Sequence, residues 1–168
     1  MPNYCDYQMK LRGAKENVQT FIAYLKADYS YNNGKWECSE DRHFFRVFEA
    51  AHDPGEDTVD VSGETISTVG GYCAWSVFSC LFEGNHTYYD RWKNDGENFK
   101  GTHVLEASKE LDLDIEIYSE EAGVGFMEHY LIEKGELLVD DCFDDFREIE
   151  DEDGEWIKTG GVEWTFSF

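Results

Sequence analysis

The sequence predicts an α+β domain in which an antiparallel sheet carries helices on one face. Three observations point there. Tyr4 to Leu11 alternates in polarity and leads, past Gly13, into a segment with helical spacing of its apolar residues. Leu113 to Tyr118 alternates again, with Leu113, Ile115 and Ile117 on one side and Asp112, Asp114 and Glu116 on the other. Phe126 to Glu133 and Glu136 to Val139 flank Lys134-Gly135, the pattern of a hairpin.

Taken in order, the first helix spans Ala14 to Lys26, with Val18, Phe21, Ile22 and Leu25 on one face. Tyr29 to Gly34 is polar and turn-rich, and Lys35 to Cys38 opens a strand. His43 to Ala51 is ambiguous. Thr58 to Val61 and Thr65 to Val69 read as strands joined at Ser62-Gly63. Tyr72 to Phe82 is the most hydrophobic segment; its aromatic and β-branched content favours a buried strand, with a core helix as the alternative. Thr87 to Lys93 is expected as a short helix. Thr102 is the expected N-cap of a helix containing Val104, Leu105, Ala107 and Leu111. Residues 140–150 are open between strand and helix, because Val139, Cys142, Phe143, Phe146 and Ile149 have helical spacing but follow a strand directly. Gly160 to Phe168 reads as a final strand.

A chain of 168 residues is the size of a single domain, 1–168, and buries a core without staples. A division into 1–100 and an acidic 101–168 is the alternative. The net charge is −23, unevenly spread: residues 1–84 carry 7 basic and 13 acidic side chains, and residues 85–168 carry 7 and 24. Such a chain repels nucleic acid and anionic membrane, and basic surfaces are its natural partners, above all those of proteins that grip nucleic acid. Solubility, or adaptation to high salt, is the plainer account of the same charge. The cysteines at 5, 38, 73, 80 and 142 form no CxxC pair and are expected as reduced, mostly buried thiols. With no leader pattern and no apolar run of membrane-spanning length, a cytoplasmic location is expected.

The opening Met1-Pro2-Asn3-Tyr4-Cys5, its strand, Gly13 and amphipathic helix resemble the start of the Api92-like (YubB-type) family. Ala107 to Asp140 resembles that family's C-terminal ferredoxin-like domain: a helix, an acidic strand, the loop Glu121-Ala122-Gly123-Val124-Gly125-Phe126, and a hairpin. Tyr4 stands where the family usually has Trp. The resemblance implies a ferredoxin-like sandwich, a protein carried by phages and other mobile elements in a bacterial host cell, and no catalytic residues to carry over. Fold alone does not give function.

The densest chemical feature is Glu136 to Glu155, with eleven acids and one base, Arg147. If 140–150 is a helix, Asp140, Asp144 and Glu148 form one row of like charges, and Asp141 and Asp145 another. The second feature is the strand face of Asp112, Asp114 and Glu116, expected to be wet. Alternate strand residues stand about 6.6–6.8 Å apart, close to the span of two phosphates at about 3.4 Å each. Together with Glu150, Asp151, Glu152, Asp153 and Glu155, these carboxylates could imitate a nucleic-acid backbone. Trp156 beside them suits an Arg-rich partner. The competing account is a solvated sheet face beside a solvated acidic segment.

Other chemistry has little support. Asp151-Glu152-Asp153-Gly154 looks like part of a calcium loop, but the required Glu six residues past the Gly is Gly160. The histidines at 43, 52, 86, 103 and 129 lack zinc spacing. No cofactor is expected, and no nucleophile or phosphate-loop motif occurs. The leading expectation is therefore a non-catalytic, acidic inhibitor that mimics nucleic acid and occupies the basic channel of a host defence enzyme of restriction or CRISPR type. The alternatives are a non-enzymatic phage or plasmid adaptor whose acidity serves solubility, and a hydrolase dependent on divalent ions.

Overall fold

The computed structural model describes residues 3–82, 101–144, 147–159 and 165–168. Most of the strands belong to one antiparallel sheet, in the spatial order Val47–His52 (β4), Thr65–Ala74 (β6), Tyr4–Gly13 (β1), Asp114–Glu121 (β7), Phe126–Glu133 (β8) and Glu136–Asp144 (β9).

Strand β1, Tyr4–Gly13, follows the predicted alternation, with Cys5, Tyr7, Met9 and Leu11 buried and Tyr4, Asp6 and Gln8 exposed. Helix α1, Lys15–Lys26, presses Val18, Phe21, Ile22 and Leu25 onto that apolar face. Glu16 in its first turn and Lys26 in its last complement the helix dipole. A separate hairpin follows, β2 (Tyr29–Asn32) and β3 (Lys35–Cys38). Asn33 and Gly34 both have positive φ, 50° and 79°, as a two-residue hairpin loop needs.

The ambiguous segment divides: His43, Phe44 and Phe45 are buried outside any strand, and β4 runs Val47–His52. A 3-10 turn, Pro54–Glu56, and the two-residue β5, Thr58–Val59, lead into β6, Thr65–Ala74. The hydrophobic stretch predicted as one buried strand is two elements. Its first part completes β6, and Val77–Leu81 is helix α2, capped by Ser76, whose hydroxyl accepts from Ser79 N at 2.9 Å. The turn between them holds Trp75 at φ 63°, and the Trp75 ring carries the Arg46 guanidinium at 4.7 Å. The expected helix at Thr87 to Lys93 lies outside the described residues.

Helix α3, Val104–Glu110, is capped by His103, whose side chain accepts from Glu106 N. Thr102, the expected cap, is buried and instead donates to the Glu106 carboxylate at 3.3 Å. Strands β7 (Asp114–Glu121), β8 (Phe126–Glu133) and β9 (Glu136–Asp144) complete the sheet as a meander. Strand β10, Arg147–Glu150, pairs with β11, Trp156–Thr159, as another small hairpin. The helical option for 140–150 is thus not taken. Those residues are strand on both sides of 145–146, and alternation replaces the i,i+4 rows of like charge. Of the expected final strand, residues 165–168 form no ladder, and 160–164 lie outside the described residues.

The division at 100/101 falls between strands that pair: β1 and β7 share a register from Asp6↔Glu120 to Arg12↔Asp114. The core lies between the helices and one sheet face, built from Met9, Leu11, Phe21, Leu81, Ile115, Ile117 and Ile132. Cys5, Cys73 and Cys80 sit in the same core as free thiols. Hydrogen bonding with Cys5 and Cys80, then burial, pushes the Cys73 thiol well above its ordinary pKa. Burial likewise lowers His43 to about 4, so it is a neutral packing residue at pH 7.

One carboxyl group lies inside this core. Glu128, 3% exposed, accepts from Val77 N at 2.8 Å, Phe78 N at 3.1 Å, Ser119 Oγ at 2.6 Å and Tyr130 OH at 2.8 Å. A carboxylate has about four acceptor sites, so these donors saturate it. Two of them are amides at the start of α2, which have no partner within the helix.

Two substitutions test these close fits. In Gly71→Ala the new Cβ meets the Glu49 carbonyl oxygen at the β4 bulge and lies 2.9 Å from Tyr7 OH. Chemical denaturation should show a loss of about 2–3 kcal/mol. Glu128→Gln puts an NH2 donor among groups that are themselves donors. A loss of roughly 2–3 kcal/mol is expected, with exchange protection lost first at the Val77 and Phe78 amides.

Candidate functional site

The acidic face of β7 is not wet. Its apolar side, Ile115 and Ile117, meets Leu11 and Met9 across the β1 ladder. The opposite side is also covered: Asp114 is 8% exposed and Glu116 2%. The expectation of a solvated carboxylate row at Asp112, Asp114 and Glu116 is therefore corrected. The cover and the counter-charges come from sequence-distant residues.

Arg12 lies opposite Asp114 in the β1–β7 register and donates to Asp114 Oδ2 from Nε at 3.1 Å and Nη2 at 2.7 Å. Glu116 accepts from Ser167 N at 2.6 Å and Ser167 Oγ at 2.7 Å, and stands 2.9 Å from His129 Nε2. The Tyr118 hydroxyl lies 3.1 Å from Glu116 and 2.8 Å from the Thr165 carbonyl oxygen, one proton between two acceptors. Burial alone raises the Glu116 pKa, but the donors from Ser167, His129 and Tyr118 outweigh it and bring the carboxyl below its ordinary range. Burial, then the charge on Glu116, pushes Tyr118 up to about 12.

Residues 165–168 thus strap this end of the sheet. The His129 ring stacks on Tyr118 with centroids 4.2 Å apart, and Phe166 meets Tyr118 edge-on at 5.3 Å. Lys10 Nζ donates to the Phe168 carbonyl at 2.8 Å, and the Arg12 guanidinium lies over the Phe168 ring at 4.6 Å. Asp112 alone of its row is exposed, in a turn at φ 53°, paired with Lys134 at 3.2 Å.

The remaining candidates are dispersed along β9 and the β10–β11 hairpin. Asp140 and Asp141 are exposed on β9, an end strand of the sheet, and project to opposite faces because they are adjacent. Asp144 ends β9, Glu148 lies within β10 and Trp156 opens β11. Asp145 lies outside the described residues. Glu150, Glu152, Asp153 and Glu155 are exposed around the hairpin turn. Asp151 has a structural use there: its Oδ1 accepts from Asp153 N and Glu155 N, each at 2.9 Å. The segment with the look of a calcium loop is this turn, closed by Gly154 at φ 79°. Among the described residues no group of three or more His, Cys, Asp or Glu side chains is placed to hold a metal ion. No described helix is long and apolar enough to cross a membrane.

Sequence reasoning missed Glu128 as a buried acid, and Arg12, His129 and Ser167 as the partners of Asp114 and Glu116. Arg12 had a legible signal, since a cation in the alternating β1 invites an acid on the neighbouring strand. No protein-family model matches this chain, and comparison with curated proteins and with solved structures returned no match.

The strap makes a pH-dependent prediction. The folded-state pKa of Glu116 lies below the unfolded one, so its contribution is complete above the ordinary glutamate range. That contribution is lost as pH falls through the depressed value. Exchange of the Ser167 amide should therefore accelerate on acidification before the core amides do. Glu116→Gln should weaken the strap by about 1–2 kcal/mol at neutral pH and remove that acid-induced step.

Proposed function

We propose that this protein is a non-catalytic acidic binding protein of a phage or other mobile element. In this reading it competes with nucleic acid for the basic surface of a host defence nuclease, of restriction or CRISPR type. The observation that carries the reading is where the uncommitted charge stands. The β7 acids Asp114 and Glu116 are neutralised inside the fold, whereas Asp140, Asp141, Glu150, Glu152, Asp153 and Glu155 are exposed on strand and hairpin. Strand and hairpin-turn backbone holds these carboxylates, so less ordering entropy opposes binding than a disordered acidic tail would face. A net charge of −23 favours rapid association with a cationic channel and repels competing anions.

The phosphate-like row expected on β7 forms no part of this mimic. Asp114 and Glu116 are assigned to folding, and the surface available to a partner comprises β9 and the β10–β11 hairpin. The order β4-β6-β1-β7, with α1 joining β1 to β4 and helices joining β6 to β7, supports a ferredoxin-like core extended by β8 and β9. It is also the arrangement implied by the Api92-like resemblance. Held thiols in the core and a His52–Asp57 pair at 2.8 Å within one loop unit suit structural roles rather than catalytic ones.

An adaptor is the second reading, favoured by exposed aromatic rings. Tyr4 is 55% and Phe48 46% exposed, and apolar contact with a partner would resist salt.

The test is capture on the tagged protein from nuclease-treated bacterial lysate, followed by salt elution and assay of the captured enzyme. A nucleic-acid enzyme that elutes with salt is expected. Replacing Asp140, Asp141, Glu150 and Glu152 with Lys should lower its inhibition at least about tenfold, a change of about 1.4 kcal/mol, with unchanged Tm. Full inhibition by that variant would falsify the mimic. Salt-resistant capture of a structural protein would favour the adaptor.

A further inference from the structure

The face of the sheet that the strap covers at one end is open at the other. There the register aligns Glu49 of β4, Tyr72 of β6, Asp6 of β1 and Glu120 of β7 in one row across four strands. These residues line a groove of about 410 Å³, floored by Gly70, which has no side chain, between Gln8 and Ala51. Tyr4 and Phe48 extend the groove beyond Tyr72. The three rings contact edge-on or tilted, with centroids 5.2 Å (Tyr4–Tyr72), 5.8 Å (Tyr4–Phe48) and 6.1 Å (Phe48–Tyr72) apart.

The charge arrangement along β1 and β7 is the decisive feature. At the strapped end, Arg12 faces Asp114 and Lys10 faces Glu116, both opposite-charge pairs. At the open end, Asp6 faces Glu120, two carboxylates directly opposed. Like charges at such positions destabilise a sheet. None of Asp6, Glu49 and Glu120 has a side-chain ion pair or hydrogen bond among the described residues. The cation nearest in sequence, Arg46, lies instead over Phe45 and Trp75. A fold that pairs charges on these same strands a few residues away leaves a cation-shaped deficit here, walled by aromatic rings.

We propose that this groove is a docking site for an arginine-bearing extended segment of a partner protein. A guanidinium can lie on the face of Tyr72 while its N–H groups reach Asp6, Glu49 or Glu120, joining stacking to charge-assisted hydrogen bonding. The fold already stacks cations on rings in this way, with Arg12 on Phe168 and Arg46 on Trp75. A nucleic-acid strand would use the rings but meet three carboxylates, and a second copy of this chain brings more acid than base. Addition of a strand along β4 is hindered by the bulge between Val47 and Glu49. The site is separate from β9 and the β10–β11 hairpin, and it stands whether or not the defence-enzyme reading holds.

The experiment titrates labelled nonapeptides, one arginine-rich and its lysine counterpart, and oligothymidine into the full chain at about 150 mM salt, where long-range attraction is screened. Two variants with the same change in charge are compared: Asp6→Asn/Glu49→Gln/Glu120→Gln in the groove and Glu16→Gln/Glu40→Gln/Asp41→Asn, exposed acids outside both proposed surfaces. The groove variant should bind the arginine peptide at least about tenfold more weakly, which is about 1.4 kcal/mol, and the control variant should lose less than about twofold. Arginine should exceed lysine, and Tyr4→Ala should weaken binding without lowering Tm. Relief of the opposed carboxylates should leave the groove variant with an equal or higher Tm, so lost binding cannot be ascribed to unfolding. Equal losses in both triple variants would mean diffuse attraction to net charge and would overturn the site. So would an absence of saturable peptide binding, a preference for oligothymidine, or self-association abolished by the groove substitutions.

Discussion

The fold depends on a carboxyl group placed where carboxyl groups are costly. Glu128 lies in the core between β7, β8 and the start of α2, and a buried charge without partners there would cost several kcal/mol. Its partners make the position workable and in doing so fix three elements together. Ser119 belongs to β7, Tyr130 to β8 itself, and Val77 and Phe78 to α2. Helix α2 has only five residues, too short to be stable by propensity. It exists because Glu128 and the Ser76 cap satisfy its leading amides. That in turn allows Val77, Cys80 and Leu81 to close the core over Cys5 and Cys73.

A second set of buried acids works by the same physics on the other face. Asp114 and Glu116 alternate with Ile115 and Ile117, so the β1–β7 pair is buried on both sides. Arg12, His129, Tyr118 and Ser167 supply what water would otherwise supply, and the strap of 165–168 excludes water from them. The same face therefore carries charge of two kinds. At one end it is internally matched and sealed, and at the other, around Asp6 and Glu120, it is unmatched and open.

This division explains what could be read in the chain. The alternation of β1, β7 and β8, the spacing of α1 and the Lys134-Gly135 hairpin were legible because backbone geometry imposes a period on each. Burial of Asp114 and Glu116 was not legible, since a wet polar face and a covered polar face have the same period. What separates them is Ser167, about fifty positions away, and His129 on the next strand. Tyr72 to Phe82 misled for a related reason: aromatic and β-branched residues suit buried strand and buried helix alike. The switch at Trp75 is set by its positive φ and by Glu128, neither of which a local window contains. Residues 140–150 stayed open between strand and helix for a related reason: Val139, Cys142, Phe143, Phe146 and Ile149 fit a helical period by chance, while β8 offered a free edge for β9 to pair with.

The acidic cluster at Glu136 to Glu155 acquires a different meaning once it is strand. Like charges at i,i+4 would have opposed a helix along its length, whereas on β9 they stand on an end strand of the sheet. An unprotected edge invites pairing with another chain, and charge is one of the means that proteins use against it. Asp140 and Asp141 therefore keep β9 from templating aggregation whether or not a partner binds there. That role asks for a few charges on the edge, and β9 has them. It does not account for Glu150, Glu152, Asp153 and Glu155 around a separate hairpin turn, where Asp151 alone does the capping. Nor does it account for Asp6 facing Glu120 inside the sheet, where no edge needs protection. Among the described residues these two places hold acids that neither folding nor edge protection accounts for, and it is to them that the two proposals assign a cationic partner.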